Sequence, residues 1–167
     1  MSKAAVKAPP RPARIVAAGP SDMETVRALF REYEKSVAAG AGQCFAGFED
    51  ELATLPGDCA PPLGGILLAR DPGGAAVGVV AYHPLAAGVA EIKRLYLRPE
   101  HRGRGLGKQL MNAALRACAR AGHATVRLST VPSAMRVADA LYQIMGFRPI
   151  PSYPGAACAA QCYETAL

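Results

Sequence analysis

The chain has 167 residues, 51% hydrophobic and 19% charged. That fits one compact domain able to bury a core without disulfides or metals, and it excludes a disordered chain. Four of the cations behind the net charge of +6 (Lys3, Lys7, Arg11, Arg14) precede any acid, so the rest carries +2; this points away from nucleic acid, and no apolar run of roughly 18 residues is clean enough to enter a membrane.

Residues 1–13 are basic and rich in Pro and Ala; they read as a flexible tail with no secretory core, and residues 14–167 as the folded domain. Residues 14–18 (RIVAA) are short, apolar and β-branched, and predict an opening strand. Ser21 stands three residues before Glu24, the spacing of a capping box. Val26, Leu29, Phe30, Tyr33 and Val37 follow at helical intervals until Gly40 and Gly42. Phe45, Phe48, Leu52 and Leu55 predict a shorter helix, stopped at Pro56-Gly57. Strands are expected over 65–70, 75–83 and 88–97, with Asp71-Pro72-Gly73-Gly74 as a turn, giving two antiparallel hairpins. The pattern then switches. A helix is expected over 105–121, with Leu106, Leu110, Ala113, Ala114 and Ala117 on one stripe, then a strand over 124–130. Ser133 is placed to cap a further helix carrying Val137, Leu141 and Ile144, with Gly146 at its end. Strands over 147–150 and 161–167 close the chain. Hairpins followed by an αβαβ half predict a mixed α+β fold around one sheet.

Five cysteines (Cys44, Cys59, Cys118, Cys158, Cys162) form no Cys-x-x-Cys pair, and His83, His101 and His123 show no metal spacing. Reduced, partly buried thiols in a cytoplasmic protein without a metal site are expected.

The chemistry is concentrated in Arg98-Pro-Glu-His-Arg-Gly-Arg-Gly-Leu-Gly-Lys108, between a strand and a helix. Gly103, Gly105 and Gly107 let the backbone turn tightly and leave its amides uncovered, and such amides at a helix N-terminus seat an anion, above all a phosphate. A P-loop would need Gly at 102 and Ser or Thr after the lysine, where Arg102 and Gln109 stand. A dinucleotide fingerprint would need Gly at 108 and an acid about twenty residues later, where Lys108 and Arg127 stand. The pyrophosphate loop Arg/Gln-x-x-Gly-x-Gly/Ala of acyl-CoA transferases is matched in full by Arg102-Gly-Arg-Gly-Leu-Gly107; an ordinary Gly-rich turn is the alternative on these six residues alone.

From Arg14 to the C-terminus the chain resembles the GCN5-related N-acetyltransferase superfamily. The likeness is strongest over Glu91–Lys108 and over Ala138-Asp-Ala-Leu-Tyr142-Gln-Ile-Met-Gly146-Phe147; the second run is similar to the family's Asn-x-x-Ala-x-x-Leu-Tyr-x-x-x-Gly-Phe, with Met135 where the family has Asn. The resemblance implies a twisted, mostly antiparallel sheet of six or seven strands flanked by about four helices, with one parallel pair splayed apart. It implies acetyl-CoA as cofactor, its pantetheine arm along Leu95, Tyr96 and Leu97. Its pyrophosphate would rest on Arg102, Gly103, Arg104, Gly105, Leu106, Gly107 and Lys108, with Ala138 and Tyr142 alongside. Glu91 is then the expected base, the Leu95 N–H the oxyanion donor and Tyr142 the acid. Phe45, Phe48, Tyr82 and Arg94 are expected around the acceptor, where Lys93 and Arg94 could meet an anionic group. For Glu91 a plain charged strand position, or pairing with Lys93, is the competing reading.

The expected activity is acetyl transfer to a primary amine of a small molecule, without nucleic-acid or membrane partners. Acetylation of a protein lysine or N-terminus, or non-catalytic acyl-CoA sensing, are the alternatives. Oligomeric state is not written in the sequence; a homodimer is what similar proteins suggest.

Overall fold

The computed structural model describes residues 12–41, 45–156 and 160–167; most of the expected tail, and Cys44 and Cys158, lie outside them. The elements are β1 (Arg14–Ala17), α1 (Met23–Ala41), α2 (Phe48–Thr54), β2 (Gly65–Arg70), β3 (Ala76–Ala86), β4 (Val89–Leu97), α3 (Leu106–Arg120), β5 (Thr125–Thr130), α4 (Arg136–Ile144), β6 (Arg148–Ile150) and β7 (Gln161–Ala166). They form one seven-stranded sheet in the order β1-β2-β3-β4-β5-β7-β6. Every neighbouring pair is antiparallel except β4 and β5.

Alternation along β2 assigns its side chains to two cores, as the two-residue period of a strand requires. Ile66 and Leu68 pack with Val26, Leu29, Phe30 and Leu52 of α1 and α2, while Leu67 and Ala69 pack with Leu110, Met111, Ala114 and Cys118 of α3. Leu29, Phe30, Leu110 and Met111 are fully buried, each such burial stabilising the fold by roughly 1.5–3 kcal/mol. Helices thus cover both faces of the sheet.

Several local expectations are corrected. Ser21 does not cap α1: residues 20–22 form a single 3-10 turn in which the Asp22 carboxylate accepts the Gly19 N–H at 2.9 Å, while Glu24 pairs with Arg27. β3 runs past His83 to Ala86. Ser133 lies in a turn; Met135 is the N-cap of α4 and makes no side-chain capping bond. Val137 and Ile144 face solvent, at 83% and 75% exposure, and α4 buries Tyr142 instead, with Ala138, Leu141 and Met145 packed beside it. The end of α4 is as expected: Phe147 N–H reaches Tyr142 O and Gly146 N–H reaches Gln143 O, the paired bonds of a Schellman cap.

Candidate active site

Three features of β4 build the site. The first is its parting from β5. Register pairing covers only Val89 with Thr125, Ala90 with Val126 and Glu91 with Arg127, although β4 continues to Leu97 and β5 to Thr130. The strands separate beyond Glu91 and leave backbone edges that no neighbouring strand satisfies, a cost that a bound chain of amides would remove. The second is a bulge. Lys93 pairs with Ala81 and Tyr96 with Val79, so Arg94 and Leu95 together oppose Val80. Arg94 adopts φ +59°, a strained value for a side-chain-bearing residue. Bulges re-aim backbone and side chains, and this one takes Leu95 out of the β3 register. The third is the cleft of about 640 Å³ in the opening, whose walls include Glu91, Leu95, Tyr96, Leu97, Arg102, Gly107, Ala138 and Tyr142.

Past the cleft floor the chain turns through the glycine segment into α3. Gly103 and Gly105 have φ +73° and +76°, and Gly105 is the N-cap. The first backbone bond of the helix is Gln109 N–H to Gly105 O at 3.1 Å, and among the described residues the amides from Gly103 to Lys108 donate to no backbone carbonyl. No acid occupies the first turn, and Arg104 and Lys108 are exposed there. This end of α3 is therefore electropositive by backbone and side chain together. Leu106 points its side chain into the core, leaving only its backbone on this surface. Arg102 turns back, donating from Nε to Leu97 O at 2.8 Å and stacking over Tyr96 at 5.6 Å.

Glu91 is 8% exposed. Its Oε2 lies 2.7 Å from His83 Nε2, and Tyr153 donates its hydroxyl to Oε1 at 2.8 Å. Burial, and then the Glu91 charge, push the Tyr153 hydroxyl above the ordinary phenol value, so it remains a donor. Lys93 does not pair with Glu91; it turns to Glu51 at 3.1 Å. Tyr142 is buried against Phe147 and Tyr163, and burial holds its hydroxyl protonated well above the usual range.

On the acceptor side the expected residues separate. Phe45 lines the cleft, edge-on to Tyr33 and Phe48. Phe48 is buried behind it. Tyr82 is outside the cleft walls, in the α3 core, with its ring against Gly65. Arg94 lines the cleft, but its guanidinium is held by Glu51 at 2.5 Å and lies 5.0–5.8 Å from the Tyr33, Phe45 and Phe48 rings. Its charge is therefore largely answered within the protein. Burial alone would raise the Glu51 carboxyl; Arg94 and Lys93 more than reverse this and hold it below the ordinary carboxylate range. Val37 of α1 meets Val131 beyond β5, with Tyr33, Phe45 and Met135 packed around them, and the Met135 sulfur accepts from Thr130 Oγ1 at 3.5 Å. The sequence alone assigns no site role to His83, Tyr153 or Glu51, and marks Met135 only as the position where the family has Asn. The β3–β4 hairpin register, which sets His83 directly opposite Glu91, was the available signal for the first. Cys59 and Cys118 are buried, with their thiols pushed up to about 11 and about 12 respectively, away from nucleophilic use.

The parted parallel pair, the bulge beside it and the uncovered amides at the start of α3 together make an opening suited to an extended chain of amides that ends in a phosphate. The model of the acetyltransferase (GNAT) family matches residues 24–147, and the chain belongs to that family; it is an acyltransferase. It is 36% identical to an uncharacterized N-acetyltransferase of Schizosaccharomyces pombe over 135 residues, 80% of this chain and 81% of that one. Its fold is similar to that of a GNAT-family acetyltransferase from Staphylococcus aureus, at TM-score 0.77 and 17% identity over 92% of this chain and 98% of the other. It is also similar to the PaiA N-acetyltransferase of Thermoplasma acidophilum, solved with coenzyme A, at TM-score 0.76 and 20% identity over 94% and 100%. Among the described residues no helix is long and apolar enough to cross a membrane, and no cluster of His, Cys, Asp and Glu could hold a metal ion.

Proposed function

We propose that the protein transfers acetyl from acetyl-CoA to a primary amine of a small molecule, within a ternary complex. The parting of β4 from β5 beyond Glu91 carries this reading, because it sets a buried carboxyl at the vertex of an opening lined by free backbone. The residues fit the cofactor. The β4 edge from Leu95 to Leu97 can pair with the amides of a pantetheine arm, although Arg102 already holds the Leu97 carbonyl. The amides of 103–108, with Arg104 and Lys108, suit a diphosphate. Bound there, acetyl-CoA supplies an activated thioester carbonyl.

The chain's own groups then divide the proton work. Glu91 takes a proton from the acceptor ammonium, since only the neutral amine attacks. The Leu95 N–H, in the bulge at the cleft wall, would be the donor to the negative charge that develops on the carbonyl oxygen. Tyr142, kept protonated by burial, would give its proton to the departing sulfur and regain one from the nitrogen, which sheds its second proton as the amide forms. A small acceptor is favoured over a peptide because the Val37–Val131 contact and Phe45 bridge from α1 to the segment after β5, and Glu51 ties α2 to β4. A peptide would need an open groove there.

A panel of free amines and lysine- or N-terminus-bearing peptides, assayed for CoA release, tests this. Small amines should be turned over and peptides not; acetylation of peptides alone would overturn the choice of acceptor.

A further inference from the structure

Amide formation from an ammonium and a thioester removes two protons from nitrogen. One ends on the thiol, and one must leave the protein in every turnover. If Glu91 is the base, as proposed above, that proton starts on a carboxyl group buried from water. Tyr153 donates to Oε1 and His83 lies against Oε2; Tyr153 in turn hydrogen-bonds Ser129 of the cleft wall. The Tyr153 hydroxyl donates to Oε1 and is itself buried, so it positions Glu91 without opening a way to solvent. The nearby cations are committed elsewhere: Lys93 to Glu51, and Arg127, the β5 register partner of Glu91, to Glu164 at 2.9 Å and to the Tyr153 ring. Cys162 on β7 is the remaining titratable neighbour of Tyr153, and it is buried.

His83 differs from all of these. It sits where β3 leaves the core: Tyr82 before it is buried, Pro84 after it is exposed, and the ring retains 14% of its surface. Its Nε2 faces Glu91, while Nδ1 lies 3.0 Å from Pro84 O, which fixes the ring plane between carboxyl and solvent. An imidazole so placed joins a buried acid to water.

We propose that His83 is the proton outlet of the site. Protonated Glu91 gives its proton from Oε2 to Nε2, and the ring becomes an imidazolium with Nδ1–H on Pro84 O. That transfer restores the Glu91 carboxylate; the imidazolium then turns toward the hairpin end and gives its Nε2 proton to water, returning as the Nδ1–H imidazole. His83 acts through Glu91 and not on the substrate.

Two substitutions test it, with acetyl-CoA and the fastest amine of the panel. His83→Gln keeps a polar group near Glu91 but carries no proton; His83→Ala leaves room for free imidazole. Both should bind acetyl-CoA by calorimetry as the wild type does, with kcat lowered about tenfold or more in dilute buffer. In His83→Ala, kcat should climb with added imidazole, whereas the wild type should not respond. A purely structural histidine would give no such climb. Wild-type kcat in both variants, or a loss in His83→Ala that imidazole leaves unchanged, overturns the outlet. Should His83→Ala not fold, undiminished kcat in His83→Gln overturns it alone. Glu91→Gln separates the two layers: if it is inactive while the His83 variants are normal, only the outlet fails, and if it turns over as the wild type, the base assignment fails with it. No turnover of any amine removes both.

Discussion

A carboxyl group taken out of water needs a partner for each oxygen, or burial costs more than it contributes. Glu91 has one on each side, a phenol and an imidazole, and this double hold fixes its oxygens at the vertex of the cleft. Glu91→Gln keeps shape and burial but cannot accept a proton. Turnover should fall by roughly 10²- to 10⁴-fold, with acetyl-CoA affinity nearly unchanged. The ascending limb of kcat/KM should move to higher pH, where the acceptor is already neutral. A pH–rate profile that keeps its wild-type limb would remove Glu91 from the role. The residue scale is also where the sequence was hardest to read. Glu91 stood out by its offset from the glycine segment, but its partners lie 8 and 62 positions away and no local pattern joins them. Arg94 reads as a free cation until α2 is seen to bring Glu51 against it. Tyr82 reads as a cleft residue until the strand pleat sends its ring to the α3 side.

At the scale of the element, the turn into α3 is the most legible piece. Glycine spacing alone announces positive φ and uncovered amides, and Gly103 and Gly105 adopt that conformation. A Cβ at Gly105 would meet nothing within 4 Å, so a side chain there is penalised by φ and by charge rather than by collision. Gly105→Glu is expected to weaken acetyl-CoA binding at least tenfold by calorimetry while the fold survives; retained affinity would refute the assignment of the loop. Helix starts were less legible. Ser21 and Ser133 each have a capping residue type in a plausible place, yet Asp22 closes the first turn and Met135 begins α4 without a side-chain cap. Of the expected apolar stripe of α4, Leu141 packs against the core and Val137 and Ile144 do not, for a related reason. Val137 and Ile144 lie seven residues apart and share a side, but the side that finds a core is the one bearing Tyr142. Periodicity shows that a helix has faces; packing chooses among them.

At the scale of the molecule, ion pairs tie the helices to β4 and the residue that follows it: Glu51 of α2 to Lys93 and Arg94, Glu32 of α1 to Arg98. Glu51 is the more buried, and its folded carboxyl lies below the ordinary value of 4.5. A depressed value means stabilisation that is complete above that pH and lost as pH falls through the folded value. Glu51→Gln should therefore lower stability by about 1.5–3 kcal/mol at neutral pH and flatten the loss of thermal stability on acidification below about 4.5. Melting curves across that range check it; a variant as acid-sensitive as the wild type would show that the pairing does not matter to the fold. The hairpins of β2 to β4 and the parallel return of β5 were readable, because hairpins must pair and an αβ crossover returns parallel; the insertion of β7 between β5 and β6 was not.

The sheet is two antiparallel blocks, β1 to β4 and β5 to β7, joined by a seam only three residue pairs long. Neither block can swing about that seam without changing the gap between Leu95 and Ser129. A ligand laid along the open edge would act as a clasp across it. Filling the gap would tie both blocks together at once, adding to the Glu91–Tyr153 hydrogen bond that already spans them.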